Sequence, residues 1–384
     1  MSRLPTTAPV SPPTATPRQN AGRRGFLAQM MSASGVVLLA GCNGGGLAGL
    51  RGGDGGLDAT RTDGRATLLL PTSGRSAQLG QIMADAARLA APELGRDPEI
   101  ALSDSGSDVE PAVLAARAAV AAGAKMLIGP LFGAQAVAVA AAVGRQVPVV
   151  TYSNDTSLKG PGLFVYGVTP FQSARSVLAF AATRGKRRVV VVAPPGALGD
   201  QSVAAARSLA GQVGIVPGEA VRTGDPAGLA ARVAAAAGGS APDAVYLPAA
   251  GPELAGLAGA FQGSGVQVLG SAQWAAIKAE EVPALRGAWY AAPDPLRFNP
   301  FSEAYREAFG SVPGILAGLA FDSVEMARFL GRVGQQDKRG LTRDEGFNGV
   351  LGPYRFGSDG VVDRALSVLQ VERGALSLIG GGTV

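Results

Sequence analysis

The chain has 384 residues, 47% of them apolar and 16% charged, which gives length for about two domains and too much apolar content for bulk disorder. It has no histidine and a single cysteine, Cys42, so Ser-His-Asp and Cys-His catalysis, His-ligated zinc and an intrachain disulfide are all excluded. The formal charge is +5, but Arg3, Arg18, Arg23 and Arg24 lie in the first 42 positions with no acid, leaving 30 bases against 29 acids. That near-neutral body lacks the clustered positive charge that nucleic-acid binding needs.

In chain order, a Pro-, Thr- and Ser-rich start gives way to Arg23-Arg24-Gly25-Phe26-Leu27 and an apolar stretch to Ala40. Its length, roughly fifteen residues, suits a signal peptide and is short for a membrane span. The stretch ends Leu39-Ala40-Gly41-Cys42, which resembles the bacterial lipobox, so Cys42 is the expected lipidation site and residues 1–42 the signal peptide. The twin arginine suggests the twin-arginine export route, with ordinary secretion as the alternative. Residues 43–64 carry nine glycines and read as a flexible tether. Gly44, Gly46 and Gly49 spell a dinucleotide fingerprint, but no strand precedes them, so the spelling has no physical basis for holding a phosphate.

From Arg65 onward short aliphatic runs alternate with Ala-rich helical stretches, the pattern of an α/β fold with parallel sheets. Buried strands are predicted at 66–70, 99–103, 125–128, 147–151, 188–193, 244–247 and 266–269. Leu79, Ile82, Met83, Ala86 and Leu89 recur at helical spacing and form one apolar stripe for a sheet. Further helices are predicted at 111–122, 134–143, 201–213 and 226–237. The pattern restarts after the loop 164–170, which marks a lobe boundary. Helices at 301–309 and 315–330 follow, and the tail 354–378 alternates like antiparallel edge strands.

Several segments together resemble type I periplasmic solute-binding proteins of the leucine/isoleucine/valine-binding family. They are Pro71-Thr72-Ser73-Gly74, Ile128-Gly129-Pro130, Val147-Pro148-Val149-Val150, Phe321-Asp322-Ser323-Val324 and Phe347-Asn348-Gly349-Val350-Leu351-Gly352. The resemblance implies two Rossmann-like lobes joined by a three-crossing hinge, with residues 65–170 and about 294–340 in the first lobe and 171–293 and about 341–384 in the second. It also implies a periplasmic, lipid-anchored receptor that needs no cofactor and performs no catalysis. Such a receptor hands a small polar ligand, an amino acid or peptide-like solute, to an ABC permease. Segments 128–133, 153–155 and Leu285-Arg286-Gly287-Ala288-Trp289 also resemble penicillin-binding-protein activators, which implies a murein synthase as the alternative partner.

In such folds ligands sit beyond the carboxyl ends of the strands, where helix N-termini present free N–H groups. The expected ligand-binding residues are therefore Ser73, Gly133, Ala134, Gln135, Thr151, Ser153, Asn154, Asp155, Leu198, Gln273 and Trp274. Several depart from the amino-acid-binding pattern of the family. Asp155 stands where a threonine is usual, Leu198 replaces a tyrosine, and Ser271-Ala272-Gln273-Trp274 lacks the acid that would meet a ligand ammonium. Two readings remain open for Asp155, a cleft residue or a turn residue, and two for Trp274, a cleft wall or core packing.

Overall fold

A computed structural model describes residues 65–382 except 95, 98 and 159. The expected signal peptide, tether and lipidation site at Cys42 lie outside the described residues. The first sheet is built from β1 (Ala66–Leu70), β2 (Ile100–Asp104), β3 (Met126–Ile128), β4 (Val149–Thr151) and β5 (Leu163–Val165). Its order is β2-β1-β3-β4-β5, and every pair is parallel. β1 is apolar except for Thr67 and buried along its whole length, as a central parallel strand requires. β2 is an edge strand and only its first residue is buried, which corrects the expectation that every candidate strand is buried.

Helices α1 (Ala77–Ala90), α2 (Val109–Ala121) and α3 (Gly133–Val143) connect these strands. The chain leaves the first sheet after β5 and enters α4 (Pro170–Thr183) through a capping box, in which Thr169 Oγ1 accepts from the Gln172 amide and Gln172 Oε1 from the Thr169 amide. This reciprocal cap fixes where the second lobe begins.

The second lobe repeats the plan with β6 (Arg188–Ala193), α5 (Ala197–Val213), β7 (Val216–Pro217), β8 (Val221–Arg222), α6 (Leu229–Ala236), β9 (Ala244–Leu247), α7 (Leu254–Gly259), β10 (Gln267–Gly270) and β11 (Trp289–Ala292). Both lobes bring the helix after their first strand hard against the loop that links the two. A Cβ on Gly80 would stand 2.1 Å from the Pro71 carbonyl oxygen, and one on Gly199 would stand 1.9 Å from that of Pro194. Only glycine permits that approach.

From β11 the chain returns to the first lobe as α8 (Pro295–Phe309) and α9 (Ile315–Arg332), which pack on α1. A hairpin of β12 (Tyr354–Phe356) and β13 (Val362–Arg364) follows. The chain then crosses back as β14 (Ser367–Val371) and β15 (Leu376–Gly380), both antiparallel additions to the second sheet, whose order is β15-β14-β11-β10-β9-β6-β7 with β8 also on β6. The three expected crossings are present. The third falls near residue 366 rather than 341, so that, while Val362 to Arg364 also bond to Gln172 and Arg175 of α4, residues 341–361, expected in the second lobe, pack on the first. That segment stays with the first lobe because Val361 bridges Val165, Phe164 meets Phe356 edge-on at 5.6 Å, and Asp322 of α9 binds the Val350 and Leu351 amides.

A fully buried charge cluster sits at this junction. Asp322 accepts from the Val350 amide at 2.7 Å and the Leu351 amide at 3.3 Å, and faces the Arg364 guanidinium at 3.6 Å. Arg364 is 0% exposed, and its guanidinium lies 5.0 Å from the Tyr166 ring and 4.5 Å from the Tyr354 ring. Tyr166 belongs to the first crossing and Arg364 to the third, so the cation ties two of the three connecting strands. Burial pushes the Asp322 carboxyl up to about 6, against the pull of Arg364 and the two amides.

Candidate functional site

Between the lobes lies a pocket of about 570 Å³, a volume suited to a small organic ligand. The first lobe supplies Leu79 and Ile82 from α1, Leu131 to Gly133 after β3, and Tyr152 to Asn154 after β4. The start of α9 adds Gly314 to Ala317 and Leu319, and the crossing adds Val168. Across the cleft stand Ala272, Gln273 and Ala276, which follow β10. No Asp, Glu, Lys or Arg is among these lining residues.

Polar recognition therefore rests on uncharged groups. The Tyr152 hydroxyl is shared with Ser323 Oγ at 2.8 Å, and Ser153 Oγ accepts from the Asp155 amide at 3.2 Å. The side-chain amides of Asn154 and Gln273 have no hydrogen-bond partner among the described residues. They come from opposite lobes and face one pocket, as a ligand gripped between lobes requires. Two helix N-termini also open there: α3, whose N-cap is Phe132, and α9, whose N-cap is Gly314, each without a side-chain cap. Their first-turn N–H groups and positive dipole ends favour an anion at the pocket.

Of the expected site residues, the structure brings Gly133, Ser153, Asn154 and Gln273 to the pocket. Ala134 lies in the exposed first turn of α3, outside the lining. Gln135 is corrected to a structural role: it is buried and turned away, and its Nε2 donates to the Asp108 carbonyl at 2.8 Å and the Gly106 carbonyl at 3.2 Å. Thr151 is likewise structural, its hydroxyl donating to the Pro130 carbonyl at 2.7 Å. Ser73 is exposed and its amide donates to Asp104 Oδ1, and Leu198 sits in the first turn of α5; neither lines the pocket.

Trp274 is corrected from cleft wall to core. It is 0% exposed, its Nε1 donates to the Ala249 carbonyl at 3.1 Å, and its ring lies 5.8 Å from that of Tyr290. Gly270 makes room for it, since a Cβ there would reach within 2.4 Å of the indole.

Asp155 is a turn residue outside the lining. Its Oδ1 accepts from the Ser157 amide at 2.9 Å, from Ser157 Oγ at 2.6 Å and from Gln201 Nε2 at 2.6 Å. Partial burial works to raise its pKa, but these hydrogen bonds outweigh it and hold the carboxyl below its usual value.

The residues that sequence reasoning missed are the apolar wall. Leu79 and Ile82 belong to the predicted stripe of α1, but burial falls on Met83, Ala86 and their neighbours, leaving Leu79 40% exposed at the pocket. Nothing in the chain order signalled that the start of α9 would return to this cleft. Among the described residues no group of three His, Cys, Asp or Glu side chains is placed to hold a metal, and no helix is long and apolar enough to cross a membrane.

Comparison with known proteins follows the same geometry. The family model described as periplasmic binding protein matches residues 65–375. Among solved structures, a putative branched-chain amino acid ABC transporter from Rhodospirillum rubrum is 23% identical, with 82% of this chain and 100% of that chain covered and a TM-score of 0.70. A solute-binding protein of an ABC transporter from Rhodopseudomonas palustris BisB5, in complex with 3,4-dihydroxybenzoic acid, is 20% identical over 83% of this chain and 96% of that chain, with a TM-score of 0.59. A leucine-binding protein from Thermotoga maritima MSB8 is 24% identical over 83% and 99%, with a TM-score of 0.56. Among curated proteins none matches. With two lobes, a three-crossing hinge and a family match over residues 65–375, the chain belongs to the periplasmic binding protein family.

Proposed function

We propose that the protein is an extracytoplasmic receptor that closes its lobes on a small carboxylate with an apolar body and delivers it to an ABC-type permease. The class includes branched-chain amino acids and benzoates, which the neighbours' names mention. One observation carries the reading: a pocket with apolar walls and no charged lining residue, in which two unengaged amides from opposite lobes and two uncapped helix starts converge. Dipolar groups suffice for one negative charge, whereas an α-ammonium would lack a counter-charge and lose solvation. Within the class, members without an ammonium are favoured.

Anchoring through Cys42, with export by way of Arg23-Arg24, belongs to this proposal and would hold the receptor at the membrane beside its permease. The likeness to penicillin-binding-protein activators gains no support from the family match. Leu285 and Ala288 are buried, and Trp289 Nε1 donates to Gln370 Oε1, so much of that motif is occupied in packing the second lobe. A thermal-shift series with benzoate, 3,4-dihydroxybenzoate, aliphatic monocarboxylates and leucine tests the reading. A rise in Tm with at least one carboxylate is expected. No rise with any of them contradicts it.

A further inference from the structure

Asp155 lines no pocket, yet it reaches across the cleft. It belongs to the loop after β4 of the first lobe, while Gln201 belongs to α5 of the second, and Gln201 Nε2 donates to Asp155 Oδ1 at 2.6 Å. The carboxylate is prepared for this bond by its own turn, since Ser157 donates to the same oxygen through both amide and hydroxyl. The neighbouring acid on α5, Asp200, pairs with Arg222 at 2.6 Å and so does not oppose Asp155 across the gap.

We propose that Asp155 and Gln201 form a latch that holds the two lobes together before any ligand arrives. Asp155 is then a positioning residue for binding: it biases the lobes toward the gripping arrangement and steadies Ser153 and Asn154, the two preceding residues that face the pocket. A charge-assisted hydrogen bond of this kind shifts a two-state equilibrium by on the order of tenfold. Affinity for any ligand that needs the closed arrangement falls with the closed fraction. The idea deepens the solute-receptor reading and rests on it for its function, but the latch itself is testable with no ligand present.

Small-angle X-ray scattering from the ligand-free full chain at pH 7 reads the lobe separation. Gln201→Glu places a second carboxylate against Asp155 and is expected to shift the scattering to a larger radius of gyration, with the shift reversed on acidification. Gln201→Lys restores an attractive partner and is expected to scatter like the unsubstituted chain at low salt. Gln201 is half-buried on α5, so both variants are expected to fold, with circular dichroism as the check. If Gln201→Glu fails that check, Asp155→Ala replaces it, with the same expected expansion. An unchanged radius of gyration in a folded latch variant overturns the latch and leaves the solute-binding reading intact. Carboxylates that bind neither form overturn that reading and leave the latch.

Discussion

The cleft and the hinge of this protein treat charge in opposite ways. At the hinge Asp322 and Arg364 are both buried, and they are held by two amides and two aromatic faces. At the cleft, where a ligand would arrive, no charged side chain lines the pocket, and the polar atoms on offer belong to Asn154, Gln273, Ser153 and the starts of α3 and α9. A buried ion pair is costly to break because either partner alone is left without solvation, so it suits a junction that must stay fixed. Neutral amides cost little to expose and regain a bond when a ligand enters, so they suit a surface that alternates between water and solute.

The largest effect expected from this contrast is on stability. Asp322→Ala leaves Arg364 buried without its counter-charge and is expected to cost about 3–5 kcal/mol in denaturant unfolding. Asn154→Ala, at the cleft, is expected to stay within about 0.5 kcal/mol of the unsubstituted chain. Similar losses at both positions would erase the distinction.

The next effect is a pH dependence. Burial holds the Asp322 carboxyl at about 6, above the ordinary aspartate value of 3.8. The folded chain therefore binds a proton between about pH 4 and 6 that the unfolded chain lacks. This contribution favours folding as pH falls through 6 and is lost as pH rises through 6. Asp322→Asn should remove it, so the stability difference between the variant and the unsubstituted chain should change across that window. A constant difference from pH 4 to 7 would show that Asp322 does not titrate there.

Smaller effects belong to the cleft. Gln273→Ala and Asn154→Ala are each expected to weaken carboxylate binding about 2–10-fold, at the scale of one neutral hydrogen bond, with unfolding midpoints unchanged. Gln273→Glu supplies the missing acid, so it should reduce benzoate affinity and raise that for leucine. The smallest effect expected is at the exposed pair Lys278–Glu281, 2.8 Å apart, where Lys278→Ala should leave both binding and stability unchanged.

Much of the architecture was legible because it depends on local pattern. The runs at 66–70, 188–193 and 244–247 form strands with the expected ends, since buried parallel strands are continuous apolar runs. The three-residue β5 at Leu163–Val165 overlaps the start of the expected loop 164–170, because so short a run has no period to detect. The hairpin of β12 and β13 was expected as edge strands, but its place on the first lobe depends on Asp322 and Val165, which are distant in sequence.

The site was legible only in part, for the same reason. Gly133, Ser153 and Asn154 follow directly from strand ends, whereas Ile315 and Leu316 reach the pocket through tertiary return of the chain. For Trp274 the sequence leaves cleft wall and core packing open, and the 3₁₀ turn Ala272–Ala276 decides between them, with Trp274 in the core and Gln273 at the cleft.

Calorimetric titration of the purified protein with benzoate and with leucine, at one pH and ionic strength, tests the central claim most directly. An uncharged cleft predicts that benzoate binds and that leucine binds at least about tenfold more weakly, the scale of an uncompensated ammonium. Leucine binding as tightly as benzoate, or more tightly, would contradict the account.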